Sequence, residues 1–136
     1  MNILAFVKPK NDVIFVYDND TLKDALAKLE SHRFTSIPVL NKEGNYIGTI
    51  TEGDLLWNIK NVTNFNMKHA EKMLVKELKR FRDYETIQIT ANMNELITKA
   101  TMENFVPVVD QHDLFIGIVT RKAIINYFFD HNFIVL

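Results

Sequence analysis

A segment of about twenty residues occurs twice in the chain, and this duplication limits the possible folds more than any other feature. Residues 37–56 read IPVLNKEGNYIGTITEGDLL, and residues 106–125 read VPVVDQHDLFIGIVTRKAII. The copies align without a gap, and the identical pairs are Pro38/Pro107, Val39/Val108, Ile47/Ile116, Gly48/Gly117 and Thr51/Thr120. An internal repeat of this kind indicates one structural unit that is built twice.

Both copies have the same predicted secondary structure. Two short apolar runs flank a polar turn of four residues, which predicts a β-hairpin, and helical spacing follows the shared threonine. A second helical pattern precedes each hairpin, at Leu22, Ala25, Leu26 and Leu29 and at Met93, Leu96, Ile97 and Ala100. Strands are predicted before these helices, at 13–17 and 86–89. Each half is therefore a predicted β-α-β-β-α unit, and the chain belongs to the α+β class.

The two halves are expected to form one joint module. We place the first repeat at residues 1–62 and the second at 63–136, with a linker helix (Met67, Ala70, Leu74 and Leu78) and an apolar C-terminal tail in the second part. One half of roughly 60 residues buries too little surface to be robust alone. We therefore expect the repeats to pack on each other as a pseudo-two-fold pair.

Composition argues against several classes of function. The net charge of −1 creates no strong field for nucleic acid or anionic lipid, and no apolar run approaches the length that spans a membrane. The absence of cysteine excludes disulfides and thiolate chemistry and favours a cytoplasmic protein. The four histidines lack metal-ligand spacing, and no Ser/His/Asp grouping lies on an elbow motif. Neither a metal site nor a catalytic residue is predicted.

The stretch GTITEGDLL, residues 48–56, has the glycine spacing of a P-loop, but Asp54 stands where a P-loop needs lysine. Two interpretations of Thr51 and Asp54 remain open. In the first, they form a helix capping box, which would account for both residues. In the second, the helix N-terminus and the Thr51 hydroxyl bind phosphate, and the Asp54 carboxylate accepts the hydroxyls of a ribose.

The duplicated unit resembles the CBS domain, named after cystathionine β-synthase, because it has Ile-Pro-Val on its second strand and Gly-x-x-Thr-x-x-Asp before its last helix. The resemblance covers residues 2–132 and is greatest to small stand-alone bacterial proteins. The second copy departs from the pattern, since Ala123 stands at the position of the aspartate. CBS proteins bind AMP, ADP, ATP, S-adenosylmethionine or cyclic di-AMP between paired repeats. They act as sensors rather than enzymes and need no cofactor.

The resemblance implies a set of ligand-binding residues. Asp54 would bind ribose, Thr51 would contact phosphate, and the purine slot would be formed by Thr21, Thr35, Ser36 and Ile37 with Phe105 and Val106. In the second copy, Thr120, Arg121 and Lys122 would contribute phosphate contacts to a subsite without a ribose acid. The alternatives are core packing for Ile37 and Val106, and solvent exposure for Arg121 and Lys122.

Two further segments are candidate contacts with partners. The cluster Lys79-Arg80-Phe81-Arg82 could contact phosphate or a protein, but the low net charge favours a solvated face. The apolar tail, with Phe128, Phe129, Phe133 and Ile134–Leu136, predicts a homodimer interface, or else folding back over the linker.

The sequence therefore predicts a sensor that binds an adenine nucleotide and relays its level to an effector protein. The alternative is a constitutive dimerisation scaffold with a vestigial nucleotide site, which the missing acid at Ala123 favours. The sequence leaves four points open: the choice of nucleotide, the occupancy of the second subsite, the identity of the partner, and whether a dimer is parallel or antiparallel.

Overall fold

The structure is a computed structural model, and it describes residues 2–62, 65–81 and 83–131. The strands are β1 (Lys8–Pro9), β2 (Val16–Tyr17), β3 (Ser36–Leu40), β4 (Tyr46–Thr51), β5 (Ile87–Gln88), β6 (Phe105–Val109) and β7 (Phe115–Thr120). The helices are α1 (Leu22–His32), α2 (Glu52–Lys60), α3 (Met67–Lys72), α4 (Met93–Ala100) and α5 (Arg121–Asp130). This order confirms the α+β class and the repeated β-α-β-β-α unit.

The chain forms two compact units. The first-repeat unit comprises residues 14–83, and the second-repeat unit comprises the described residues of 1–13 and 84–136. The first thirteen residues thus group with the second repeat, and the linker groups with the first. The limits 1–62 and 63–136 that the sequence suggested for the repeats, and the packing of the repeats on each other, stay predictions.

The first-repeat unit has a three-stranded sheet in the order β2-β3-β4. The hairpin strands β3 and β4 are antiparallel, and β2 lies parallel to β3 because α1 forms the crossover between them. The apolar face of α1 packs on this sheet, and the core contains Leu22, Ala25, Leu29, Ile37, Val39, Ile50 and Leu55. The predicted face of α1 is therefore the face that is buried.

The second-repeat unit repeats this arrangement and adds one strand. Its sheet has the order β1-β7-β6-β5, with β5 parallel to β6 and β7 antiparallel to both neighbours. The strand β1 comes from the N-terminus of the chain and pairs Pro9 with Gly117. The core contains Ile3, Ile87, Leu96, Val106, Val108, Val119 and Ile124.

The observed strands before the first helix of each repeat are shorter than predicted. In the predicted strand at 13–17 only Val16–Tyr17 forms β2, and in that at 86–89 only Ile87–Gln88 forms β5. Each of these strands pairs with its parallel neighbour at two positions only, β2 with Val39 and Leu40 and β5 with Val108 and Val109. Apolar and β-branched side chains do not reveal how many residues of a run will pair with a neighbouring strand.

The linker helix also ends earlier than predicted. The pattern from Met67 to Leu78 suggests one helix, but α3 stops at Lys72 and Met73 is extended. The Met73 carbonyl accepts the Leu22 N–H (2.8 Å), and the Val75 N–H donates to the Asp20 carbonyl (2.7 Å). The linker therefore leaves the helical conformation because its backbone bonds to the start of α1.

Gly48 and Gly117 occupy equivalent positions in β4 and β7, and each leaves space for a segment from outside its hairpin. A Cβ atom on Gly117 would lie within 3.0 Å of the Lys8 carbonyl oxygen and of the Val7 side chain. A Cβ atom on Gly48 would lie within 3.0 Å of the Arg80 and Asp83 side chains. The shared glycine is thus closely packed in both copies, against backbone at Gly117 and against side-chain ends at Gly48.

We predict that Gly117→Ala lowers the free energy of unfolding by about 1–3 kcal/mol, because the backbone of Lys8 must move. The matched control is Gly53→Ala in α2, whose Cβ would meet only the Thr51 Oγ1 at 3.7 Å. This control should raise stability by roughly 0.5 kcal/mol, as helical Gly-to-Ala changes do. Urea denaturation measures both. Equal stabilities for Gly117→Ala and the unsubstituted protein would contradict the close contact.

Candidate functional site

Four of the predicted ligand residues lie together where β4 ends and α2 begins. Ser36 pairs with Thr51 across the hairpin, and the Thr35 carbonyl accepts the Glu52 N–H at 3.0 Å. Asp54 follows in the first turn of α2. The start of β3 and the N-terminus of α2 therefore form one polar corner within the first-repeat unit.

Thr51 and Asp54 form the capping box that their spacing suggested. The Thr51 Oγ1 accepts the Asp54 N–H, and the Asp54 Oδ2 accepts the Thr51 N–H, both at 3.1 Å. The second carboxylate oxygen, Oδ1, accepts the N–H of Phe81 at 2.9 Å. The Asp54 residue is only 3% exposed. Each carboxylate oxygen thus accepts a backbone N–H, and one of these comes from the linker.

The start of α1 offers a direct comparison. Thr21 and Asp24 form the same capping box, with distances of 3.1 and 3.0 Å. The hydrogen bond from the Thr21 N–H to the Asp24 carboxylate lowers the pKa of Asp24. However, Asp24 is exposed, whereas Asp54 is buried. Capping therefore does not require the burial of the acid or the bond from Phe81, and these two features distinguish Asp54.

The 79–81 segment is held against α2 and β4 by polar contacts. The Asn58 side chain donates to the Lys79 carbonyl at 2.9 Å and accepts the Lys79 N–H at 3.1 Å. The Arg80 Nε donates to the Asp83 Oδ1 at 2.7 Å, and this hydrogen bond raises the pKa of Arg80. The same Asp83 oxygen accepts the Thr49 N–H at 3.1 Å. Arg80 is therefore paired rather than fully solvated, and Arg82 lies outside the described residues.

A groove of about 380 Å³ lies beside the 79–81 segment. It is lined by Asp54, Trp57, Asn58, Asn61, Lys79, Arg80 and Phe81, and we call it the Trp57–Phe81 groove. Its two aromatic residues are accessible, since Trp57 is 58% and Phe81 is 90% exposed. The Lys60 ammonium lies 5.1 Å from the centroid of the Trp57 ring. The sequence did not indicate this groove.

Thr21 does not join the group around Thr51. The strand β2 pairs Tyr17 with Leu40, so the chain leaves β2 at the Leu40 end of β3, and Thr21 caps α1 there. Ser36 and Thr51 lie at the other end of β3. Ile37 is buried in the core, as its alternative interpretation expected. Ligand contacts by Thr21 and Ile37 stay predictions.

The predicted residues of the second copy lie together in the second-repeat unit. Phe105 pairs with Thr120, and both Phe105 and Val106 are buried. The Thr120 Oγ1 accepts the Ala123 N–H at 3.1 Å, so half of the capping box persists without the acid. A phosphate contact by Thr120 and a purine contact by Phe105 or Val106 stay predictions.

Arg121 has a structural partner that the sequence did not suggest. Its Nε donates to the Ala100 carbonyl at 2.8 Å, at the C-terminus of α4, where the helix dipole favours a cation. Lys122 is exposed, in agreement with its solvent-facing alternative. Phosphate contacts by these two residues stay predictions.

Comparison with known proteins identifies the family. The family model of the CBS domain matches residues 6–61 and 75–130, which together make up most of the chain. The chain belongs to the CBS domain family. The resemblance seen in the sequence is thereby confirmed for both copies.

Several known proteins are similar to this CBS-domain protein. A homoserine O-acetyltransferase of Methanococcus vannielii is 30% identical over 112 residues, which are 82% of this chain but only 22% of the transferase. The solved structure of CbpB in complex with c-di-AMP is 25% identical, with a TM-score of 0.84, and the match covers 98% of this chain and 89% of CbpB. A conserved protein of Geobacillus kaustophilus has a TM-score of 0.86 at 22% identity, with coverages of 96% and 98%.

The described residues, 2–62, 65–81 and 83–131, also bear on metal binding, membrane spanning and the predicted dimer interface. In those parts of the chain, no group of three or more His, Asp or Glu side chains could hold a metal ion. No helix among them is long and apolar enough to cross a membrane. Phe129 on α5 is 69% exposed, while Phe133 and residues 134–136 of the predicted dimer interface lie outside the described residues.

We predict that Asp54→Ala lowers the free energy of unfolding by about 2–3 kcal/mol, because two backbone N–H groups lose their acceptor at a buried position. The matched control is Asp24→Ala, which removes the acid of an exposed capping box and should cost about 0.5–1 kcal/mol. Urea denaturation at neutral pH compares the two. Equal losses would show that burial and the Phe81 bond add nothing at Asp54.

Proposed function

We propose that this CBS-domain protein binds an adenosine nucleotide and signals its presence to a partner protein. The observation that supports this most is the buried Asp54 carboxylate beside Thr51 at the N-terminus of α2, next to the Trp57–Phe81 groove. The similar protein CbpB was solved in complex with c-di-AMP. The proposed ligand is AMP, ADP, ATP or cyclic di-AMP.

The proposed roles follow from the chemistry of the polar corner. The two oxygens of a carboxylate offer about four lone-pair positions, and the N–H groups of Thr51 and Phe81 use two of those of Asp54. The remaining positions can accept ribose hydroxyls. The N–H groups and the dipole at the start of α2 favour a phosphate. Because Asp54 is buried, ribose binding requires a small movement of the atoms that cover it.

The proposed signal is a change in the packing of the two repeats. A ligand can shift such an equilibrium only by the ratio of its affinities for the two arrangements. We propose a homodimer as the assembly and an effector protein as the reader of this change. The protein would act as a sensor and not as an enzyme, so a bound nucleotide should be recovered intact after prolonged incubation.

A second candidate function is a constitutive scaffold whose nucleotide site is vestigial. One observation favours it, namely that the capping box and the Phe81 bond give both Asp54 oxygens a structural use. The lack of an acid at Ala123 agrees with it. The scaffold would form a stable dimer and bind no nucleotide.

Calorimetric titration of the nucleotide-free protein with AMP, ATP, cyclic di-AMP and S-adenosylmethionine separates the two functions. We expect micromolar binding of at least one of the first three ligands. S-adenosylmethionine should bind less well, because its sulfonium is a cation. If none of the four ligands gives a binding signal and sedimentation analysis shows a stable dimer, the scaffold is favoured.

A change in the ligand tests the role of Asp54 and leaves the protein itself unaltered. AMP should bind about 10- to 150-fold more tightly than its 2′,3′-dideoxy analogue, which lacks both hydroxyls that the carboxylate would accept. In Asp54→Asn this preference should shrink, while Asp24→Asn, the control in the other capping box, should keep it. Equal affinities of the unsubstituted protein for both ligands would exclude the ribose contact.

A further inference from the structure

The helix α3 begins with a capping box whose second member is a histidine. The Asn66 side chain accepts the N–H groups of Lys68 and His69, at 2.9 and 3.3 Å. In return, the Nδ1 atom of the His69 ring accepts the Asn66 N–H at 3.1 Å. The boxes at the starts of α1 and α2 hold an aspartate at the corresponding position. The start of α3 therefore differs from these two boxes in the chemistry of its acceptor.

The bond to Asn66 fixes the protonation state of the His69 ring. A backbone N–H can only donate, so the Nδ1 atom must carry a free lone pair. The ring is therefore neutral and holds its one proton on Nε2. A second proton would go to Nδ1, and that atom would then be a donor that faces another donor. Protonation of His69 and an intact capping box thus exclude each other.

The charges around α3 give a protonated ring no compensating contact. The first turn of a helix lies at the positive end of its dipole, where a cation is unfavourable. The helix already carries Lys68 and Lys72, and its acid, Glu71, pairs with Lys23 of α1 at 3.1 Å. The helix α1 is the element that packs on α3. Protonation of His69 would therefore weaken the start of α3 rather than exchange one contact for another.

The acceptor of a capping box determines the pH at which the box is lost. A histidine ordinarily takes up its second proton near pH 6.5, whereas an aspartate is protonated only near pH 4. The pKa of Asp24, the acceptor at the start of α1, is lowered further by the bond from the Thr21 N–H. Mild acidification therefore removes the acceptor of the box on α3 and leaves that of the box on α1.

The helix α3 anchors the start of the linker to the first-repeat unit. Its Ala70 is buried in the core of that unit. Directly after the helix, the Met73 carbonyl accepts the Leu22 N–H at 2.8 Å, and the Val75 N–H donates to the Asp20 carbonyl at 2.7 Å. A weaker start of α3 therefore loosens the element from which these linker contacts continue.

We propose that His69 makes the start of the linker sensitive to pH, because its neutral ring caps α3 and protonation of Nδ1 opens the cap as the pH falls through about 6.5. The bond from the Asn66 N–H stabilises α3 above this range and is lost below it. The Asn66 side chain keeps its own two bonds, so α3 loosens and does not unfold. This inference goes beyond the proposed nucleotide function and does not depend on it.

Amide hydrogen exchange of the unsubstituted protein measures the opening of α3. The N–H groups of Ala70 and Met73 bond to the carbonyls of Asn66 and His69 and report on the helix. We expect their protection factors to fall about 2- to 10-fold between pH 7.5 and pH 5.5, which is the loss expected from one capping hydrogen bond. Equal protection factors at the two pH values would overturn the inference.

Two substitutions at residue 69 isolate the role of the imidazole. His69→Gln keeps an acceptor suited to this position of a capping box but cannot be protonated, so its protection factors should be the same at both pH values. His69→Phe keeps a ring beside Phe65, on which the imidazole stacks, but lacks the acceptor. Its protection factors at pH 7.5 should already be as low as those of the unsubstituted protein at pH 5.5.

The matched control is His32→Gln, which removes an exposed histidine that stacks on Phe34 and should keep the full pH dependence. A fall in protection in His69→Gln as large as that in the unsubstituted protein would contradict the inference, because another group would then cause the pH dependence. Long-range nitrogen NMR spectra at pH 7.5 give a direct check of the ring. A proton on Nδ1 of the neutral His69 ring would also overturn the inference, since that tautomer cannot accept the Asn66 N–H.

Discussion

The buried carboxylate of Asp54 is the contact on which the candidate site depends. It joins the end of β4, the first turn of α2 and the linker at Phe81 through two backbone N–H groups. A buried carboxylate needs such donors, because an unpaired charge in the interior is costly. The structural and the ligand-binding interpretations of Asp54 are therefore compatible, since the same bonds that cap α2 also bring the aromatic ring of Phe81 beside the acid.

The two repeats share a fold but differ at this contact. Gly48 and Gly117 make room for residues from outside the hairpin in each unit, Arg80 and Asp83 in one and Val7 and Lys8 in the other. Three residues after the shared threonine the copies diverge, because the Ala123 side chain cannot accept an N–H where Asp54 does. Arg121 in the second copy bonds to the end of α4 instead. The two copies thus share the packing of the hairpin, and the acid is present in the first copy only.

The predictions from sequence succeeded where the determining interactions are local. The hairpins, the five helices of the described residues and the capping box of Thr51 and Asp54 depend on residues a few positions apart, which spacing reveals. The predicted lengths of β2 and β5 and the predicted end of α3 were wrong. The strands β2 and β5 are limited by pairing with their neighbours at only two positions each, and the linker leaves the helix to bond to the start of α1. Both effects involve partners that the local pattern does not contain.

The sequence by itself determined the repeated β-α-β-β-α unit, because apolar periodicity and the Thr-x-x-Asp spacing act over single turns and neighbouring strands. It also indicated the CBS family through the motif around Thr51 and Asp54. Only the tertiary structure decided that Phe81 bonds to Asp54 across 27 residues, and that Lys8 lies over Gly117. Such contacts form because a whole unit packs around a buried acid or around a glycine without a side chain. Residues so far apart in sequence leave no periodic signal in the chain.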